Sequence, residues 1–204
     1  MPRLVVATRN EGKLKELASL LAPLGIEVVS LEVYPEIPEI PELGDTFEEN
    51  ALAKARVAAA QTGQLVMADD SGLEVDVLAG APGVYSARFA GESRDDTLNN
   101  QKLLRLLEGV PWEKRGARFR CVIALVAPDG TERTAEGVCA GVIGYEPRGT
   151  GGFGYDPLFY VPEYDRTFAE LDLDTKNHIS HRGRALLAAR ELVVELLGER
   201  HDFD

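Results

Sequence analysis

The sequence predicts a mixed α/β fold, a twisted sheet with flanking helices, forming one domain over residues 1–204. Three observations carry this reading. Strand-like and helix-like segments interleave along the chain, a long antiparallel hairpin lies near its middle, and no linker longer than a loop interrupts it. The 204 residues, 45% of them hydrophobic, can bury a sizeable core as one domain or as two closely packed lobes.

Residues 3–8 read as a buried strand. The segment from Met1 to Ala7 is too short and too soon interrupted by charge to be a signal peptide. An amphipathic helix follows at once, with Leu14, Leu17, Ala18 and Leu21 on one face and Lys15, Glu16 and Ser19 off it. Residues 26–31 form a second strand. Prolines at 35, 38 and 41 exclude helix and sheet ladder alike, so the acidic stretch 35–45 is loop. Thr46 and Glu49 make a capping box for a helix running to about Gln61, which Gly63 ends. A short strand from Leu65 to Ala68 is expected to run into a turn at Asp69-Asp70-Ser71-Gly72. Ser93 is placed to cap a helix through Leu107, stopped by Gly109 and Pro111. Segments 118–127 and 131–143 pair about Asp129-Gly130. A glycine-rich loop (149–154) and an apolar run (158–161) follow. The last helix begins near His181 or Gly183 and places Leu186, Ala189, Val193 and Leu197 on one face.

Composition excludes several function classes. A net charge of −12 argues against extended nucleic-acid binding, which needs a basic footprint. It leaves room for a small phosphorylated ligand, because salt confines the repulsion of distant charges to about 8 Å. Lysine is scarce, six against 16 arginines, yet Lys13, Lys54 and Lys176 all fall inside the motifs described next. No run of about 18 apolar residues exists, so no membrane span is expected and the cytoplasm is the default location. The two cysteines, Cys121 and Cys139, flank the hairpin turn. On a two-residue loop Cys121 lies opposite Val138 and Cys139 points to the other face, which fits neither a disulfide nor a zinc site.

Four segments could carry chemistry. Thr8-Arg9-Asn10-Glu11-Gly12-Lys13 sits where the first strand feeds the first helix. Unpaired backbone N–H groups and the positive dipole end attract phosphate there, with Asn10 as N-cap and Lys13 within reach of a phosphate oxygen. Ala68-Asp69-Asp70-Ser71-Gly72-Leu73 ends a buried strand. Adjacent residues of an extended chain face opposite ways, so its two carboxylates have different jobs. One can hold Mg²⁺ or orient a water while the other braces the turn, and Glu42 is the best second carboxylate. Gly151-Gly152-Phe153-Gly154-Tyr155-Asp156-Pro157 permits close backbone approach and leaves the Phe153 ring free to stack on a base, with Asp156 as an acceptor for a base edge. In Lys176-Asn177-His178-Ile179-Ser180-His181-Arg182-Gly183, His181 and Arg182 offer donors suited to a purine carbonyl, and Lys176 adds a cation.

Six motifs in order resemble the inosine triphosphate pyrophosphatase family: T-x-N-x-x-K at 8–13, E-x-G-x-T-F-x-E-N-A at 42–51, A-D-D-S-G-L at 68–73, G-A-P-G-V-Y-S-A-R at 80–88, G-T-G-G-F-G-Y-D-P at 149–157 and S-H-R at 180–182. The resemblance covers nearly the whole chain. It implies two lobes around a nucleotide cleft, a Mg²⁺ requirement, a homodimer, and hydrolysis of ITP, dITP and XTP to monophosphate and pyrophosphate. It implies phosphate binding by Thr8, Asn10, Lys13 and Lys54, and metal binding by Glu42 and Asp70, with Asp70 also the proton acceptor. Ser71, Phe153, Gly154, Tyr155, Asp156, Lys176, His181 and Arg182 map onto nucleotide contacts. Arg9 stands where members of the family often carry glycine, which bears on the fine phosphate geometry. Two rivals are set against this reading. Maf-like pyrimidine nucleotide pyrophosphatases open on an S-x-S-P-R-R type of motif, absent here, and a non-catalytic nucleotide-binding module has no need of both Glu42 and Asp70.

Overall fold

The computed structural model describes residues 3–198; Met1 and Pro2, which the leader argument included, lie outside the described residues. Among the described residues seven strands form one mixed sheet: β1 (Arg3–Val6), β2 (Glu27–Ser30), β3 (Val66–Val75), β4 (Gly116–Val126), β5 (Glu132–Ile143), β6 (Phe159–Val161) and β7 (Arg166–Thr167). Their order is β2-β1-β3-β4-β5-β6-β7. Strand β1 pairs parallel with β2 and with β3, while β6 pairs antiparallel with β5 and β7. The helices are α1 (Glu11–Leu21), α2 (Phe47–Thr62), α3 (Asp96–Leu106), α4 (Leu173–Ile179) and α5 (His181–Gly198).

Local chemistry explains most of the boundaries. Asn10 caps α1, its side chain accepting from the Lys13 N–H, and Thr46 caps α2 by accepting from the Glu49 N–H. Glu49 completes its box one residue early, accepting from the Asp45 N–H. Gly63 closes α2 at φ +63°, a conformation open to glycine without strain. Two expectations are corrected. The Asp69-Asp70-Ser71-Gly72 segment is no turn, because β3 runs through it to Val75. The cap of α3 is Asp95, which accepts from the Leu98 N–H, and not Ser93. Glu16, off the apolar face of α1, is nonetheless 4% exposed.

The chain divides into two compact units. The first takes the described residues up to Asp70, Cys121–Gly137, and those from Arg182 onward; the second takes Ser71–Arg120 and Val138–His181. The core of the first gathers Leu4, Leu17, Leu21, Met67, Ile123, Leu125 and, from α5, Ala189 and Val193. The core of the second is aromatic, with Phe119, Phe159 and Phe168 beside Leu73, Leu103 and Ile143. Cys121 is buried in the first core and Cys139 in the second, and both are free thiols. The hairpin loop is longer than two residues, since the Ala127 N–H donates to the Thr131 carbonyl across Pro128, Asp129 and Gly130. Among the described residues no helix is long and apolar enough to cross a membrane.

Candidate active site

The first unit concentrates charge where β1 meets α1 and where β3 reaches Asp70. At the start of α1, Thr8 Oγ1 accepts from the Asn10 N–H, and Arg9, Asn10 and Glu11 are exposed. Lys13 turns inward and pairs with Asp69 Oδ2 at 3.0 Å. Asp69, 1% exposed, is shared by Lys13 and by Arg182 Nε at 3.4 Å. Arg182 is 2% exposed and also pairs closely with Glu16 of α1, so two cations and two carboxylates balance inside the protein. Burial alone would raise Asp69, but the Lys13 and Arg182 charges outweigh it and hold the carboxyl well below the usual range. Lys13 and Arg182 are raised in turn: burial opposes their charge, and the Asp69 carboxylate more than compensates.

Asp70, next along the strand, faces different partners, as alternation requires. Its Oδ2 accepts from Asn50 Nδ2 at 2.9 Å and its Oδ1 lies 3.9 Å from Lys54 Nζ. Lys54 donates to Glu42 Oε1 at 2.7 Å and to the Asp69 carbonyl at 2.6 Å. Burial, with Glu42 adding to it, raises Asp70 above the ordinary carboxylate value despite Lys54 and Lys13. Glu42 and Asp70, the two expected metal ligands, therefore flank one ammonium group. Among the described residues no cluster of three or more His, Cys, Asp and Glu side chains is built to hold a metal. That donor set suits Mg²⁺, which commonly takes one or two carboxylates and completes its shell with water and substrate phosphate.

The second unit holds the remaining candidates. Ser71 begins its share of β3. The Phe153 ring is half-buried, and Lys176 Nζ lies 5.0 Å from its centroid. Asp156 Oδ2 accepts from the Phe153 N–H at 2.9 Å and from Lys176 Nζ at 2.6 Å, a buried pair. Gly152 is required there: its φ is +70°, and a Cβ would meet Asp156 Oδ2 at 2.0 Å. The Tyr155 phenol donates to the Ser86 carbonyl at 2.7 Å. His181 is buried in an aromatic stack, 4.7 Å from Phe119 and 14° from parallel.

The family model described as the Ham1 family matches residues 4–192. The chain belongs to the Ham1 family. It is 63% identical over 194 residues to the Desulforamulus reducens protein named dITP/XTP pyrophosphatase, covering 95% of this chain and 96% of that one. A Geobacter sulfurreducens protein of the same name is 59% identical over 191 residues, with 94% and 96% covered. Among solved structures, a HAM1 protein from Coxiella burnetii matches with a TM-score of 0.86 and 46% identity, covering 96% of this chain and all of that one. The Staphylococcus aureus Ham1 protein gives 0.84 and 39%, with 95% and 98% covered.

Within this Ham1-family chain, the structure brings Thr8, Asn10, Lys13, Glu42, Lys54, Asp70 and Arg182 into one unit, and Ser71, residues 153–156, Lys176 and His181 into the other. Arg182, expected as a base donor, has its guanidinium engaged by Glu16 and Asp69. Arg9 Nη2 donates to the Ile37 carbonyl, joining the segment before α1 to the proline-rich loop that leads to Glu42. Sequence reasoning missed Glu16 and Asn50. Asn50 accepts from the Gly44 N–H at 2.7 Å while donating to Asp70, so one amide fixes both the Glu42 loop and the carboxylate opposite. The E-N-A spacing inside the quoted motif was the available signal.

Proposed function

We propose that this protein hydrolyses dITP, ITP and XTP to the monophosphate and pyrophosphate, with Mg²⁺ as its metal, as a homodimer in the cytoplasm. The names of the D. reducens and G. sulfurreducens relatives support the substrate class. The observation that carries the reading is the first unit's cluster, in which Lys13 and Lys54 lie among Asp69, Asp70 and Glu42 beside a capped helix start.

This arrangement fits phosphoryl chemistry that depends on positioning and charge neutralisation. The N-terminus of α1, Thr8 and Asn10 offer donors to the phosphate chain, and Lys13 and Lys54 can exchange carboxylate partners for phosphate oxygens. Bound by Glu42 and Asp70, Mg²⁺ would supply positive charge against the phosphates. Asp70, held in place by Asn50, accepts or orients the proton of a water attacking the α-phosphorus in line.

For the base, Phe153 offers an apolar face, while Lys176 and His181 supply donors. Hypoxanthine and xanthine carry an acceptor oxygen at C6, whereas adenine carries an amino donor. An unpaired buried donor costs ~1–3 kcal/mol, so ITP and XTP are expected to exceed ATP in kcat/KM by at least ~10²-fold over two contacts. The test is product analysis with ITP and Mg²⁺. Inosine monophosphate with pyrophosphate supports the reading, and the diphosphate with orthophosphate refutes it.

A further inference from the structure

The loop that carries Phe153 is gripped by a helix outside all the nucleotide motifs. Asp96 and Asn100 lie four residues apart on α3, hence on one face. Asp96 Oδ2 accepts from the Gly154 N–H at 2.7 Å, and Asn100 Nδ2 donates to the Gly154 carbonyl at 2.9 Å. Both backbone polar groups of one residue are thus fixed from one helix. Gly154 sits at φ +60°, and a left-handed glycine is where a loop is otherwise most free. Its neighbours are held by other means, the Phe153 N–H by Asp156 and the Tyr155 phenol by Ser86. Burial, and after it the Asp96 charge, keep that phenol protonated and able to donate. Asn100 Oδ1 is buried with no hydrogen-bond partner among the described residues. A position kept only for packing would avoid that cost with an apolar side chain.

We propose that Asp96 and Asn100 are positioning residues for base recognition: by clamping Gly154 they set the presentation of the Phe153 ring without touching the nucleotide. This rests on the reading that residues 153–156 take the base. Asp96→Ala removes one bond, Asn100→Asp replaces the donor with an acceptor that repels the Gly154 carbonyl, and Asp96→Asn keeps an oxygen that can accept. Two readouts are needed: KM and kcat for ITP and ATP, and hydrogen exchange of the amides at 151–158. Asp96→Ala and Asn100→Asp should raise KM for ITP about tenfold while kcat stays within about twofold, narrow the gap to ATP, and speed exchange in the loop. Asp96→Asn should match the unmutated protein in both readouts. Unchanged exchange in Asp96→Ala overturns the clamp. Faster exchange with unchanged KM overturns its role in binding, as does an Asp96→Asn variant as impaired as Asp96→Ala. Unmutated enzyme that shows no preference for ITP defeats the underlying base reading, a failure visible before any substitution is made.

Discussion

Replacing Arg182 with methionine removes the charge that balances two buried carboxylates while keeping much of the side-chain volume. Glu16 is 4% exposed and Asp69 1%, so neither can be rescued by water where it stands. Lys13 remains as a partner for Asp69, at 3.0 Å, so the loss falls chiefly on the Glu16–Arg182 pair. Breaking a buried ion pair from one side costs about 3–5 kcal/mol. At about 2–4 °C per kcal/mol for a chain of this size, Tm should fall by roughly 10 °C. Urea unfolding of Arg182→Met, Glu16→Gln and the double variant measures this directly. The double variant should recover at least ~1 kcal/mol relative to the sum of the singles, because removing both partners strands no charge. A loss below ~1 kcal/mol for Arg182→Met, together with an ITP defect much larger than the ATP defect, would refute the reasoning and return Arg182 to the base pocket.

Further expectations follow from the same cluster. Asp70→Asn should cut turnover by roughly 10²-fold or more, by analogy with loss of other charge-stabilising groups. Because burial raises Asp70 in the folded state, its charge destabilises the fold above the unfolded carboxylate pKa, so the same variant should hold or gain Tm at pH 7 without metal, read by calorimetry. Asp69 is depressed instead, so its contribution is complete above an ordinary carboxylate pKa of about 3.9 and is lost as pH falls through the lower folded value. Asp69→Asn should therefore flatten the decline of urea midpoint with pH in acid. Gly44→Ala should weaken Mg²⁺ binding measured by calorimetric titration, since a Cβ at Gly44 would meet Glu49 Cβ at 2.7 Å and Asn50 Oδ1 at 2.8 Å and displace the Glu42 loop.

The elements legible in the sequence are those with local causes. Asn10, Thr46 and Gly63 cap their helices through bonds spanning a few residues, and the apolar stripe of α5 is buried as its spacing requires. That the paired aspartates take different partners was legible because strand alternation turns adjacent side chains opposite ways. What escaped depends on distant chain. Glu16 looks like a solvent residue until Arg182, 166 positions away, supplies its counter-charge. The Asp69-Asp70-Ser71-Gly72 run has turn composition, yet it stays in strand, and its carboxylates find Lys13, Arg182, Asn50 and Lys54. Helix α4 has seven residues, too few for a periodic signal, although Asp172 caps it by accepting from the Thr175 N–H.

The central claim, water attack at the α-phosphorus in the Glu42–Asp70 cluster, is tested most directly by turnover of ITP in ¹⁸O-labelled water with Mg²⁺. One labelled oxygen is expected in the inosine monophosphate and none in the pyrophosphate, with the rate of label incorporation cut by roughly 10²-fold or more in Asp70→Asn. Label in the pyrophosphate, or an undiminished rate of incorporation in Asp70→Asn, would contradict the claim.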